Sequence, residues 1–212
     1  KEFLKDSNII IWTTTPWTIP ANKALAFNSS IEYALVEIDE LENFKEKKII
    51  VATNLLDSII KSCNIEKFKV LKTFNGLEFT GTICKHPFET LGYNFDVPML
   101  EANFVTLEQG TGIVHCAPSH GPDDFNLCLK HNIPSKYTID NAGYYTDEIP
   151  FFTKTHVFKA DPVVIDKLKE VKKLLKNDKL QHSYPHSWRS KAPLIYRATP
   201  QWFISMEKKS LR

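Results

Sequence analysis

The sequence has no long hydrophobic run, few cysteines and almost no net charge. No stretch approaches the roughly 18 consecutive apolar residues of a membrane-spanning helix, so no membrane partner is expected. The four cysteines (Cys63, Cys84, Cys116 and Cys128) form no CxxC pair, which favours reduced thiols in a cytoplasmic protein over disulfides or a zinc site. A net charge of +2 over 212 residues predicts that any RNA contact comes from a local patch.

Sequence signatures of three common enzyme classes are also missing. The chain contains no GxSxG nucleophile elbow, no Walker-type phosphate loop and no GxGxxG dinucleotide fingerprint. If the chain is an enzyme, we therefore expect water to attack an already reactive bond, while the protein supplies position and charge. The absence of an initial Met and the ending in Lys-Lys-Ser-Leu-Arg suggest a fragment of a larger protein.

The hydrophobic pattern predicts many short strands and few helices. Strands are expected at 8–12, 32–39, 48–53, 68–74, 77–84, 96–100, 104–105, 110–117, 194–197 and 201–205. Helices are expected at 54–63, 121–130 and 161–176. This pattern predicts an α+β protein that is mainly β, with helices around a barrel-like antiparallel core. A change in composition after Pro150 predicts a β core at 1–152 and a helix with connector at 153–212.

The stretch Gly110–Phe125 changes character in its middle. Gly110–Ala117 is typical of a strand entered by a glycine turn, whereas Gly121-Pro122-Asp123-Asp124 is typical of a helix start. The helix dipole favours an ionised Asp in that first turn, which could hold an ammonium group or position a water. Taken alone, His115 is more often a core histidine, and both Asp residues are more often ordinary helix-start acids.

Thr13-Thr14-Thr15 forms a second candidate site, between Trp12 and Pro16-Trp17. Two prolines and four threonines disfavour a helix over 13–20, so we expect a strand end that turns into an extended loop. Although a threonine run is often simple strand filling, three hydroxyls beside two indoles suit a ribose and a base. His182 and His186 lack a third ligand at zinc spacing, so no metal is expected.

Trp12–Asn22 and Gly110–Asp124 together resemble the paired signatures of the editing (CP1) domain of class I aminoacyl-tRNA synthetases. The similarity continues through 33–39, 86–88, 181–189 and 197–203, and so covers nearly the whole chain. Within the isoleucine, valine and leucine group, the bacterial isoleucyl type is the best match, since His115 stands where the valyl family usually has Lys and the leucyl family Met. Ser119 replaces an expected glycine.

This resemblance implies proofreading, in which water hydrolyses the ester of mischarged Val-tRNA(Ile), with a possible pre-transfer activity. A pocket gains only about 1–3 kcal/mol from one methylene, and isoleucyl enzymes are the standard example of that limit. The parent isoleucine–tRNA ligase would use ATP and Mg, whereas this fragment lacks HIGH-like and KMSKS-like signatures and is expected to need no cofactor. Expected partners are the tRNA(Ile) 3′ end and the rest of the synthetase chain, in a monomer.

The resemblance also implies roles for individual residues. Thr13, Thr14 and Thr15 would hold the terminal adenosine and the ester, Asp124 would bind the α-ammonium, and His115 would help exclude isoleucine. The expected catalytic residues are Asp124, Thr14, Thr15 and His115. The expected substrate-binding residues are Trp12, Thr13, Thr14, Thr15, Trp17, Gly110, Thr111, Gly112, His115, Ala117, Pro118, His120 and Asp124. Two alternatives are a valyl-type domain acting on Thr-tRNA(Val) and an inactive module that binds the tRNA 3′ end.

Overall fold

Two four-stranded sheets form the centre of the protein in a computed structural model, which describes residues 1–181 and 183–207. The prediction for the pair His182 and His186 therefore falls in part outside the described residues. The strands are β1 (Asn8–Ile9), β2 (Ala24–Phe27), β3 (Glu32–Ile38), β4 (Lys48–Ala52), β5 (Phe68–Asn75), β6 (Ile83–Lys85), β7 (Asp96–Glu101) and β8 (Val114–Cys116). The α-helices are α1 (Leu56–Ser62), α2 (Pro122–Lys130) and α3 (Ala160–Glu170). Short 3₁₀ helices occupy Glu2–Leu4, Pro16–Ala21, Thr53–Leu55, Gly76–Phe79, Glu89–Leu91 and Val157–Lys159.

The sheet orders are β1-β4-β3-β5 and β6-β7-β2-β8. The pairs β1/β4 and β2/β7 are parallel, and the other pairs are antiparallel. The predicted class, mainly β with peripheral helices, is confirmed. The sheets are mixed and, across the described part of the chain, neither closes into a barrel. No helix in that part is long and apolar enough to span a membrane.

The first core lies between the sheets. Strands β3 and β4 are buried along most of their length, as expected for apolar runs covered on both faces. The ring of Phe79 packs at 4.8 Å from Tyr33, 5.2 Å from Phe74 and 5.4 Å from Phe27, measured between centroids. Tyr33 and Phe74 belong to the first sheet and Phe27 to the second, so their common packing on Phe79 of the 3₁₀ helix fixes the position of β2 and its partner β8, which carries His115.

A second core forms around Trp17 and Ile19 of the 3₁₀ helix Pro16–Ala21. It contains residues of the following chain segments and of α3: Phe88, Tyr93, Ala117, Ile139, Tyr145, Ile149, Phe152, Val157, Ala160, Val164 and Leu168. The buried face of α3 therefore packs against the segment that follows the threonine run.

The prediction that 13–20 excludes a helix is wrong for its second half. Pro16 occupies the first position of the 3₁₀ helix, where its fixed φ is favourable and its missing N–H has no intrahelical role. Pro20 lies inside the helix, which is tolerated in one short turn because Tyr145 supplies a donor for the carbonyl left unpaired.

Other predicted boundaries also differ from the structure. The third helix ends at Glu170, because Lys172 adopts a left-handed conformation with φ of +58°. Segments 104–105, 194–197 and 201–205 are not strands. Their residues have a high β-propensity, but a strand forms only where it pairs with a neighbouring strand. On α2, Leu127 and Cys128 face inward, whereas Phe125 and Leu129 are exposed. Residues 77–79 form a 3₁₀ helix, and residues 10–12 and 110–113 lie outside strands. The helix predicted over 54–63 begins at Leu56 and ends at Ser62.

The turn Gly110–Gly112 is held against strands β3 and β4 of the first sheet. The Ala52 N–H donates to the Thr111 carbonyl at 2.8 Å, and the Tyr33 hydroxyl donates to the Gly112 carbonyl at 2.8 Å. Gly112 has a φ of +76°, and a Cβ at this position would lie 2.4 Å from the Ala52 Cβ. Only glycine therefore fits at this position.

Gly112→Ala should lower the free energy of unfolding of the chain by about 3 kcal/mol, through backbone strain and overpacking. Gly81→Ala is the matched control, because Gly81 has a φ of +77° but nothing lies within 4 Å of a Cβ there. Its cost should be about 1 kcal/mol, from the backbone alone. Urea unfolding at unchanged m measures both values, and equal costs would contradict the proposed clash with Ala52.

Candidate active site

The threonine run forms a tight turn before the 3₁₀ helix. The Thr15 N–H donates to the Thr13 hydroxyl oxygen at 3.0 Å, and the two hydroxyl oxygens lie 3.2 Å apart. Thr14 is exposed, while Thr13 and Thr15 are half-buried. Thr13 and Thr15 hold each other, which leaves the Thr14 side chain facing solvent.

An open cleft of about 1840 Å³ brings the two predicted stretches together. Trp12, Thr13 and Thr14 line it from one stretch, and Gly110, Thr111 and His115 line it from the other. Seven predicted site residues are not part of this lining: Thr15, Trp17, Gly112, Ala117, Pro118, His120 and Asp124. The structure therefore divides the predicted site residues into those that line the cleft and those that do not.

His115 is paired with Thr18 at the cleft. The Thr18 hydroxyl donates to the Thr15 carbonyl at 2.9 Å, so it accepts the hydrogen bond that joins it to His115 Nε2 at 3.1 Å. His115 is therefore a neutral Nε2–H tautomer, and burial lowers its pKa to about 4. Its Nδ1 atom is fully covered and has no hydrogen-bond partner among the described residues.

His120 joins three parts of the chain. Its Nδ1–H donates to the Tyr196 carbonyl at 3.0 Å, and its Nε2 accepts from the Thr138 hydroxyl at 3.0 Å. Its ring packs edge-to-face on Trp17, with centroids 4.8 Å apart. Burial lowers the pKa of His120 to about 4, so the ring is neutral at physiological pH. His120 therefore supports Trp17 from behind the cleft surface.

Asp124 connects the start of α2 with the end of β8. Its Oδ2 accepts the Ala117 N–H at 2.8 Å, while Asp123 is exposed. Burial raises the pKa of Asp124 above its usual range, and the hydrogen bond from Ala117 offsets only part of this. The helix dipole alone would lower this pKa. The pKa is raised because desolvation of the half-buried carboxylate outweighs the favourable field at the helix N-terminus.

Comparison with known proteins identifies the family. Residues 5–178 match the family model described as the leucyl-tRNA synthetase editing domain. The chain belongs to this editing-domain family. It is 64% identical over 209 residues to the isoleucine–tRNA ligase of Pelagibacter ubique (strain HTCC1062), covering 99% of this chain and 23% of that protein. It is 45% identical over 207 residues to the isoleucine–tRNA ligase of Francisella tularensis subsp. tularensis (strain WY96-3418), covering 98% of this chain and 21% of that protein.

The editing domain thus spans about a fifth of the length of these curated relatives. The solved structure entitled GlLeuRS-CP1 superposes with a TM-score of 0.64 at 14% identity, covering 82% of this chain and 85% of that chain. The P. falciparum cytosolic leucyl-tRNA synthetase editing domain superposes with a TM-score of 0.50 at 15% identity, covering 82% of this chain and 68% of that chain. These two similarities establish the fold alone. The predicted resemblance to the isoleucyl editing domain is confirmed.

Sequence analysis missed three residues that contact predicted site residues of the editing domain, Thr18, Tyr145 and Asp161, and a fourth, His86, that holds the end of the adjacent 3₁₀ helix. His86 is buried, donates from Nε2 to the Ile19 carbonyl at 3.1 Å and accepts the Phe88 N–H on Nδ1 at 3.1 Å. Burial lowers its pKa to about 3, so His86 holds the end of the 3₁₀ helix as a neutral ring. Two signals were available, because Thr18 lies inside the signature 12–22 and His86 lies in the similar stretch 86–88.

Proposed function

We propose that this editing domain hydrolyses the ester of mischarged Val-tRNA(Ile) within an isoleucine–tRNA ligase. The supporting observation is that Thr13, Thr14 and His115 line the same cleft. The threonine hydroxyl groups suit the ribose and the ester, and the neutral imidazole suits an apolar side chain. Membership in the editing-domain family supports hydrolytic proofreading as the class of reaction.

In the proposed reaction, water attacks the carbonyl carbon of the valyl ester. A bond forms between the water oxygen and this carbon, the bond to the ribose oxygen breaks, and the ribose oxygen takes a proton. The products are valine and uncharged tRNA(Ile). We assign no protein general base, and the terminal ribose hydroxyl can help to position the water. Thr14 and Thr15 are assigned to the ester, and the protein contributes mainly position and charge.

Asp124 is proposed as the anchor of the substrate's α-ammonium. Its carboxylate uses one acceptor site for the Ala117 N–H, and an ionised carboxylate offers about four such sites. A bound ammonium would replace solvent as the counter-charge and favour the ionised form of Asp124. Asp124 lies one short loop from His115 at the end of β8, although it does not line the cleft itself.

The other proposed components lie outside this chain. The partners are the tRNA(Ile) 3′ end carrying a wrong amino acid and the remainder of the synthetase. ATP and Mg serve aminoacylation in that remainder, in the cytoplasm, and no cofactor is assigned to the editing step. The enzyme is proposed to act as a monomer.

The complete ligase should hydrolyse Val-tRNA(Ile) much faster than Thr-tRNA(Val) when the release of radiolabelled amino acid is measured on both. The expected reason is that His115 presents a neutral ring where a valyl-type site would have a cation. A preference for Thr-tRNA(Val) would replace our proposal with a valyl-type editing domain. Binding of the tRNA 3′ end without hydrolysis of either ester would replace it with an inactive binding module.

A further inference from the structure

The backbone of Trp17 has two polar groups that its own helix cannot satisfy. Its N–H lies in the first turn of the 3₁₀ helix, where donors have no intrahelical acceptor. Its carbonyl would accept from residue 20 in a 3₁₀ helix, but residue 20 is Pro and has no N–H. Because the Trp17 side chain is buried, both groups need partners from elsewhere in the protein.

Asp161 and Tyr145 supply these partners from distant parts of the sequence. The Asp161 Oδ1 accepts the Trp17 N–H at 2.9 Å, across 144 residues of chain. The Tyr145 hydroxyl donates to the Trp17 carbonyl across 128 residues. Asp161 lies in the first turn of α3 and lines the same cleft as Thr13, Thr14 and His115. The peptide groups on both sides of Trp17 are therefore clamped.

This clamp acts on the part of the chain that carries the threonine turn. Thr15 immediately precedes the 3₁₀ helix, and its carbonyl accepts from both the N–H and the hydroxyl of Thr18. Thr18 in turn accepts from His115, so a shift of the helix would move the threonine turn relative to His115. Burial raises the pKa of Asp161, as expected for a carboxylate placed among packed side chains to hold a main-chain donor.

We propose that Asp161 and Tyr145 are positioning residues of the editing reaction, which hold the main chain of Trp17 and thereby set Thr13–Thr15 against His115. This inference rests on the proposed function, and it adds two residues outside both signature stretches. Neither residue is assigned a contact with the substrate. Their effect is to keep the reacting ester in a productive geometry.

The test is steady-state deacylation of Val-tRNA(Ile) by the complete ligase, with kcat and KM determined separately. Asp161→Ala and Tyr145→Phe should each lower kcat by about tenfold to a hundredfold with little change in KM, because small displacements of positioning groups have effects of this size. Asp161→Asn keeps an oxygen acceptor for the Trp17 N–H and should recover most of the rate. Asp57→Ala, at the exposed first-turn acid of α1, and Tyr144→Phe are matched controls that should retain wild-type kinetics.

Each outcome has a distinct meaning. Wild-type kcat in Asp161→Ala or Tyr145→Phe would overturn the inference while leaving the proposed function intact, provided that the wild-type ligase hydrolyses Val-tRNA(Ile). Equal losses in Asp161→Asn and Asp161→Ala would also overturn it, since the charge rather than the acceptor would then matter. Absence of hydrolysis by the wild-type ligase would overturn the proposed function itself. If Asp161→Ala fails to fold, as judged by thermal unfolding, Tyr145→Phe and Asp161→Asn decide the question.

Discussion

Asp124→Ala in the complete ligase should reduce hydrolysis of Val-tRNA(Ile) by about a hundredfold, because a hydrogen bond to a charged group contributes about 1.5–3 kcal/mol and its loss also frees the ester to move. The substitution removes the proposed partner of the α-ammonium and the acceptor of the Ala117 N–H. Single-turnover deacylation measures the chemical step directly. Hydrolysis close to the wild-type rate would contradict the role of Asp124.

Two further variants separate the charge of Asp124 from its structural contact. Asp124→Asn keeps an acceptor for the Ala117 N–H but cannot neutralise an ammonium, so it should lose nearly as much activity as the Ala variant. Asp123→Ala is the matched control, because Asp123 lies in the same first turn of α2 but is exposed. It should retain nearly full activity. A fully active Asn variant would indicate that Asp124 only ties α2 to β8.

His115→Ala should allow the enzyme to cleave the correctly charged Ile-tRNA(Ile), which the proposed wild-type site would exclude. Removing the imidazole opens space for the additional methylene of isoleucine, and one methylene corresponds to about a 10- to 200-fold difference in rate. The effect is expected to come from volume rather than charge, since burial holds the pKa of His115 at about 4. Deacylation of Ile-tRNA(Ile) and Val-tRNA(Ile), measured side by side, gives the change in discrimination.

The controls for His115 test size and position. His115→Gln leaves a side chain that fills part of the same space, so it should protect the cognate ester better than Ala does. His131→Ala replaces the exposed histidine that follows α2 and should leave both rates unchanged. If the cognate ester stays fully protected in His115→Ala, His115 only forms part of the cleft wall and another group sets the size limit.

The signatures 12–22 and 110–124 predicted the family and the two stretches that meet at the cleft. The signatures could not predict which of their residues would line the cleft. Trp17 and His120 lie in the signatures, yet they pack on each other outside the cleft lining. At Asp124 the local pattern predicted the influence of the helix dipole, but the raised pKa depends on burial by the surrounding chain. Desolvation depends on the packed structure and has no local sequence pattern.

Local patterns predicted those elements whose interactions are also local or repeat regularly. The apolar runs of β3 and β4 and the Pro-Asp-Asp start of α2 belong to this group, because the burial of successive side chains and the geometry of a first turn depend on adjacent residues. The tertiary structure alone decided that Pro16–Ala21 forms a 3₁₀ helix held by Tyr145 and Asp161. The sequence shows, through Pro20, that the Trp17 carbonyl has no hydrogen-bond donor within its own helix. The donor that replaces it can lie at any distance along the chain. Only the folded arrangement identifies it, and the same holds for the pairing of Thr18 with His115.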